Sequence, residues 1–328
     1  MTAMRRPAAQ ARLWLGVAVG ALLAGCSVAS QPAAVSPAAS TSVAPRASAA
    51  ATSPRPSASP SPVVAPVVHG LRPPVVAGVT WYPEGLPVGG TAAAYVAHVD
   101  GGSIGLLWMD SLRLRYRYVP GYSIPEGSPF TPADNQPSTW VPTMVAAFNG
   151  GFMMKDHVGG YSYLGHVVSP LLPGKASITI DTSGHLKVGV WGQDLGPSSS
   201  TVVVRQNLRP LVRDGVSQAS SSDSASAWGL ANGGLLHANR SALGQLADGS
   251  LVYAYGSEVQ AWQLAAALVQ VHVRVAGMLD MNKSWPNGFT YTHTGGSTVG
   301  KRVLASMYRD PSMYLQRFKK DFFVALPR

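Results

Sequence analysis

Ala146-Ala147-Phe148-Asn149-Gly150-Gly151-Phe152 is the stretch on which the reading of this chain turns. Residues 143–148 are short, apolar and partly β-branched, the pattern of a strand buried in a core. The two glycines behind them let the backbone turn sharply or come close to another group. Asn149, between strand and glycines, has an amide that hydrogen-bonds in two directions. Two readings are open here. One is a strand that ends in an ordinary Asn-Gly turn, and the other is a polar corner of a binding site.

Around this stretch the apolar patterning predicts strands at 92–98, 104–109, 112–119, 144–148, 177–181, 186–191, 201–205, 251–255 and 273–279. In 112–119, Leu112, Leu114, Tyr116 and Tyr118 alternate with Arg113, Arg115 and Arg117, so one face is expected inside and a cationic one outside. That arginine ladder is either the solvated side of a sheet or a ligand surface. A helix is predicted over 258–272, capped by Ser257, with Trp262, Ala265, Ala266 and Val269 as its apolar stripe. Many strands with a helix ahead of the last major one indicate an α+β fold. We expect a mixed, largely antiparallel β-sheet core with a few flanking helices.

The N-terminal region reads as an address. Arg5, Arg6 and Arg12 precede an apolar run from 13 to 23, too short to span a membrane comfortably, and small residues follow. Leu23-Ala24-Gly25-Cys26 resembles the lipobox of bacterial lipoproteins, and Cys26 is the only cysteine. Residues 1–25 are therefore expected to be a signal peptide, Cys26 the lipidation site, and the protein exported and held by lipid on the outer face of the bacterial membrane. Residues 26–77 are rich in Ala, Ser and Pro and read as a disordered tether, able to reach on the order of 100 Å at about 3.1 Å per residue. Residues 78–328 remain as one domain.

Composition narrows the chemistry. With Cys26 committed to lipid, neither a disulfide nor a cysteine-based metal site remains, and the eight histidines show no ligand spacing, so no cysteine- or histidine-cluster metal site is expected, while a cofactor and the need for a divalent ion stay open. A hydrophobic fraction of 46% supplies a core instead. The formal charge of +10 falls to +7 when Arg5, Arg6 and Arg12 leave with the signal. Such a surface either suits anionic wall polymers or acidic headgroups or is a generally solvated basic surface. The cations are dispersed and no recognition module is present, which argues against nucleic acid.

Four segments are read together: Phe148-Asn149-Gly150-Gly151-Phe152, Arg209-Pro210-Leu211-Val212-Arg213-Asp214-Gly215, Arg240-Ser241-Ala242-Leu243-Gly244 with Ala247-Asp248-Gly249, and Met278-Leu279-Asp280. In this order they resemble the phosphodiester glycosidase family, which includes the enzyme that uncovers mannose 6-phosphate tags and bacterial exopolysaccharide-associated proteins. The resemblance implies hydrolysis of a sugar-1-phosphodiester in an envelope or extracellular glycan. On that substrate Asp280 would activate water or steady charge on the sugar, Arg240 would pair with phosphate, and Asn149 would orient a hydroxyl or the water. The amides of Gly150 and Gly151 would form an anion nest. The plainer readings stay open: Arg240 bonding backbone carbonyls, Asp280 capping a turn, and Arg213-Asp214-Gly215 and Asp248-Gly249 forming hairpin turns.

The chain departs from the family after Asp280. Met281-Asn282-Lys283-Ser284-Trp285 stands where the family has Gly-Gly-Gly-Ser, and side chains there obstruct the close approach of main chain to phosphate. Asn282 and Lys283 become candidate substrate-binding residues in place of backbone amides. The alternative to hydrolysis is accordingly a catalytically inactive lipoprotein that binds a phosphorylated cell-wall polysaccharide.

Overall fold

The computed structural model describes residues 70–229 and 235–328. The expected signal peptide, the lipidation site Cys26 and the expected tether as far as residue 69 lie outside the described residues. Residues 70–77, read as tether, belong to the folded part: Leu71 packs on the core, and the Trp81 indole donates to the Pro74 carbonyl at 3.0 Å.

In chain order the strands are β1 (Tyr82–Glu84), β2 (Ala94–Val99), β3 (Ile104–Met109), β4 (Leu114–Val119), β5 (Ala146–Asn149), β6 (Tyr161–Tyr163), β7 (His166–Ser169), β8 (Ala176–Asp181) and β9 (Leu186–Val190). Then come β10 (Thr201–Gln206), β11 (Pro210–Arg213), β12 (Val216–Ser217), β13 (Ala238–Gln245), β14 (Leu251–Val259), the helix α1 (Ala261–Gln270), β15 (Val275–Met281), β16 (Gly288–Thr294), β17 (Ser297–Arg302) and β18 (Phe322–Pro327). They build one eight-stranded sheet, β1-β2-β3-β14-β13-β15-β11-β12, and two five-stranded sheets, β7-β6-β10-β8-β9 and β17-β16-β5-β18-β4.

The expected largely antiparallel β core with few helices is present, and α+β is a loose label for it. Every ladder between these strands is antiparallel, so the core is not mixed, and α1 is the one α-helix among the described residues. The eight-stranded sheet is covered on both faces. Leu107, Leu243, Tyr253 and Leu279 pack toward the five-stranded sheets, while Leu106, Trp108, Ala242 and Met278 pack under α1. This explains why β3 is buried at every residue and reads as a continuous apolar run rather than an alternation.

The helix is shorter than expected, because β14 runs on to Val259 and leaves Gln260 to cap with Gln263. Its buried face is Ala261, Leu264, Ala265 and Leu268, and Ala266 is exposed. In an Ala-rich helix several stripes look equally apolar, and the bulky leucines select one of them; each is worth about 1.5–3 kcal/mol of burial.

The cationic strand starts at Leu114, since Asp110 takes the Leu112 amide at 2.9 Å in a turn. Within it Leu114, Tyr116 and Tyr118 point inward as the alternation requires. Asp214 and Gly215 have φ of 52° and 79° and form the two-residue loop between β11 and β12, so that segment is a hairpin turn.

Candidate functional site

The Asn-Gly-Gly corner lies at the end of β5, between β16 and β18. Asn149 is only 2% exposed. Its Oδ1 accepts from the Tyr253 hydroxyl and the Asn287 amide, both at 3.1 Å, and its Nδ2 donates to the Gly150 carbonyl at 2.8 Å. The side chain therefore fastens the exit of β5 to β14 and to the start of β16.

Neither glycine adopts a left-handed conformation. Both are small because the protein's own side chains press on them. A Cβ at Gly150 would overlap the Asp321 carboxylate, and one at Gly151 would overlap Asn207 and the Arg205 guanidinium. The Gly150 amide donates to the Asp321 carbonyl at 2.9 Å, and the Phe152 amide to Asn207 Oδ1 at 3.1 Å. The expected anion nest is corrected accordingly: the close approach that the glycines permit is made by Asp321, Asn207 and Arg205.

Those partners form a buried charge cluster that the sequence reading missed. Arg205, at the end of the apolar run of β10, donates through Nε to Asp321 at 2.9 Å and bonds the Phe152 carbonyl. The Tyr118 hydroxyl donates to the same carboxylate oxygen at 3.1 Å. Burial presses the Arg205 proton affinity down, Asp321 more than offsets it, and the guanidinium ends above its ordinary range. Immediately before Asp321, Lys320 makes an ion pair with Asp280, so two consecutive residues of one strand entrance bind two separate partners. Only the apolar Val202-Val203-Val204 ahead of Arg205 hinted that this cation is internal.

Asp280 occupies the end of β15, opposite Ser241 of β13. It is 4% exposed, pairs with the Lys320 ammonium and accepts the Met281 amide at 2.8 Å. Burial raises its proton affinity, and Lys320 opposes this without cancelling it. Arg240 sits one residue before Ser241 and faces Met281, so its side chain leaves the opposite side of the sheet. There it is 1% exposed. It donates to the carbonyls of Val259, Leu236 and Trp228 at 3.0, 3.1 and 3.4 Å, with the Met281 sulfur at 3.3 Å. Burial without a carboxylate partner lowers its pKa to about 10.

The structure thus joins Asn149, Gly150 and Asp280 through Lys320-Asp321 and leaves Arg240 across the sheet, beneath the α1 layer. It places Asn282 and Lys283 elsewhere again. They line an open cleft of about 330 Å³ with His237, Asn239 and Glu258. Asn239 holds its walls together: its Nδ2 donates to the Lys283 carbonyl at 3.3 Å, and its Oδ1 accepts the Glu258 amide at 3.1 Å. The rim carries a cation, a carboxylate, two amides and an imidazole, groups that can hold an anion and hydroxyls together. Among the described residues no three His, Cys, Asp or Glu side chains gather as metal ligands.

No family profile and no curated protein matches the chain. Among solved structures it is similar to the zebrafish N-acetylglucosamine-1-phosphodiester α-N-acetylglucosaminidase catalytic domain, auto-inhibited by its pro-peptide, at 16% identity and a TM-score of 0.42, over 76% of this chain and 89% of that one. A hypothetical protein from Synechocystis matches at 11% identity and a TM-score of 0.39, over 76% of this chain and 62% of that one. A protein described as exported, from Burkholderia pseudomallei, matches at 13% identity and a TM-score of 0.30, over 72% and 75%. These are partial likenesses in the course of the chain.

Proposed function

We propose that the domain binds a phosphorylated glycan in the cleft of Asn239, Asn282 and Lys283, and that its principal role is binding rather than cleavage. One observation carries this reading. Asn149, Arg240 and Asp280 are 2%, 1% and 4% exposed and held by internal bonds, whereas Asn282 and Lys283 open onto a cleft. A carboxylate that attacks or protonates a glycosyl phosphate has to touch it. Lys283 takes the phosphate, and the amides and Glu258 take sugar hydroxyls.

The test is calorimetric titration of the intact chain with a hexose 1-phosphate, with the free hexose and inorganic phosphate as controls, alongside chromatography of a glycosyl-1-phosphodiester kept with the protein. Saturable binding of the hexose 1-phosphate, abolished by Lys283→Ala and unaccompanied by sugar release, supports the reading. Sugar release that disappears in a folded Asp280→Asn variant overturns it in favour of hydrolysis. That second reading has one observation behind it: burial raises the proton affinity of Asp280, as a general acid requires.

The sequence adds a location to this proposal. Acylation at Cys26 would hold the domain at the outer face of the membrane, within reach of envelope polymers. Release of Cys26→Ser protein from the membrane fraction is the expected result, and its retention there counts against an acyl anchor.

A further inference from the structure

Beyond the cleft, cations and aromatic rings follow one another across the surface. Lys283 Nζ lies 5.8 Å from the ring centre of Tyr308. The Arg309 guanidinium is 5.6 Å from that ring and 5.8 Å from Trp285, and Lys319 Nζ is 5.2 Å from Trp285. Trp285 meets Phe318 edge-on at 6.4 Å, and the Phe318 carbonyl accepts the Tyr122 amide at 3.2 Å. Arg317, next in the chain, lies 5.9 Å from Tyr122 and 6.0 Å from Phe130, and these three line a shallow depression of about 350 Å³. Each contact shares a residue or a chain neighbour with the next, so the strip runs unbroken from cleft to depression.

The cations of the strip are not ion-paired. Among the described residues none of Lys283, Arg309, Arg317 and Lys319 has a carboxylate within ion-pair distance. Residues 1–69 and 230–234 contain no Asp or Glu. Tyr308 and Tyr122 are 58% and 51% exposed, although a buried position would be worth more to each ring. Unpaired cations at intervals, separated by exposed aromatic rings, match a chain in which anionic groups alternate with the apolar faces of sugar rings.

We propose that this strip binds a linear glycan with phosphate in its backbone, several repeats long, one repeat of which sits in the Lys283 cleft while the rest runs over Trp285 toward Tyr122. The inference rests on the cleft being a sugar-phosphate site. It adds that the ligand is a polymer and states its direction across the surface. A single-stranded nucleic acid, whose bases would meet the same cations and rings, is the competing outcome that the test decides. An acidic bilayer is a second outcome that the test separates.

The experiment titrates the intact chain with synthetic phosphodiester-linked hexose oligomers of one to about eight repeats. Oligothymidylate and vesicles containing phosphatidylglycerol are run in parallel. Affinity is expected to rise with length by at least about tenfold, because successive repeats bind at high effective concentration. A doubly substituted Arg317→Ala, Lys319→Ala protein should lose that gain and keep wild-type affinity for the single repeat. Both side chains are exposed, so folding is expected to persist, and circular dichroism checks it. Affinity independent of length, or a length gain unchanged in the double variant, overturns the strip while leaving the cleft reading intact. Tighter binding of oligothymidylate or vesicles, lost in the same variant, replaces the ligand class. Absence of single-repeat binding together with a variant-sensitive gain for long oligomers rejects the cleft and retains the strip.

Discussion

Lys320 and Asp280, separated by 40 positions in sequence, meet as a buried ion pair between β15 and the start of β18, with the Lys320 ammonium also 5.2 Å from the Trp285 ring centre. Neither side chain is more than 6% exposed, so each depends on the other for its charge. Lys320→Met should strand the Asp280 carboxylate and cost about 3–5 kcal/mol, read from urea denaturation. Adding Asp280→Leu should recover most of that loss, since an apolar pair of similar volume lacks the desolvation penalty. A double variant as unstable as the single one would contradict this view.

The same carboxyl predicts an unusual response to pH. A carboxyl whose proton affinity rises on folding holds its proton longer in the native state than in the unfolded chain. Its contribution to stability is therefore complete below the unfolded value of about 3.9 and declines as pH rises through the higher native value. Urea midpoints measured from about pH 3.5 to about 6 should show the advantage of wild type over Asp280→Asn shrinking upward. A growing advantage would reverse the assigned direction.

Arg240 stands beneath α1 with three carbonyls as its hydrogen-bond acceptors and no carboxylate. Arg240→Ala should cost about 3 kcal/mol or more, because the cavity and the deserted carbonyls add. Arg240→Lys should recover little, since one ammonium cannot span acceptors set out for a planar fork. Thermal unfolding of the two variants checks both statements, and full recovery by lysine would show that charge alone is required.

Gly150→Ala and Gly151→Ala should each destabilise by about 1–3 kcal/mol through overlap with Asp321 and with Asn207 and Arg205. Since neither backbone is left-handed, the cost is steric, and Asn207→Ala should relieve part of it at Gly151 and none of it at Gly150. A double-mutant cycle from urea midpoints reads this difference directly.

Glu258 lines the same cleft as Lys283, where its charge weakens any anion bound there. Glu258→Gln should tighten hexose 1-phosphate binding by about two- to fivefold at low salt, and by less at high salt. Calorimetry at two ionic strengths measures both. Unchanged affinity at low salt would place the phosphate away from this rim.

How much of this was legible in the sequence depended on what each residue had for neighbours. The strands β3, β5, β8 and β14 announced themselves because an apolar run needs no partner to be recognised. β18 did not, since Lys319-Lys320-Asp321 ahead of it looks like a solvated boundary and becomes an interior one only when Asp280 and Arg205 arrive from other sheets. Asn149, Gly150 and Asp280 were singled out through the resemblance that their segments carry. That they are held by internal bonds was not visible, because the bonds come from residues 40 or more positions away. Lys283 could be singled out as a replacement for glycine, whereas its place in a strip with Tyr308 and Arg309 exists only in three dimensions.

The position of β18 bears on how the molecule is made. Leu114 of β4 is registered with Pro327, and among the described residues β18 is the strand that bridges β4 and β5. The sheet therefore stays open, and the Arg205–Asp321 and Lys320–Asp280 attachments stay unmade, until synthesis has passed residue 321. Contacts this distant in sequence form slowly. The other two sheets draw on no strand beyond Met281, so closure of this third sheet is the step that waits for β18.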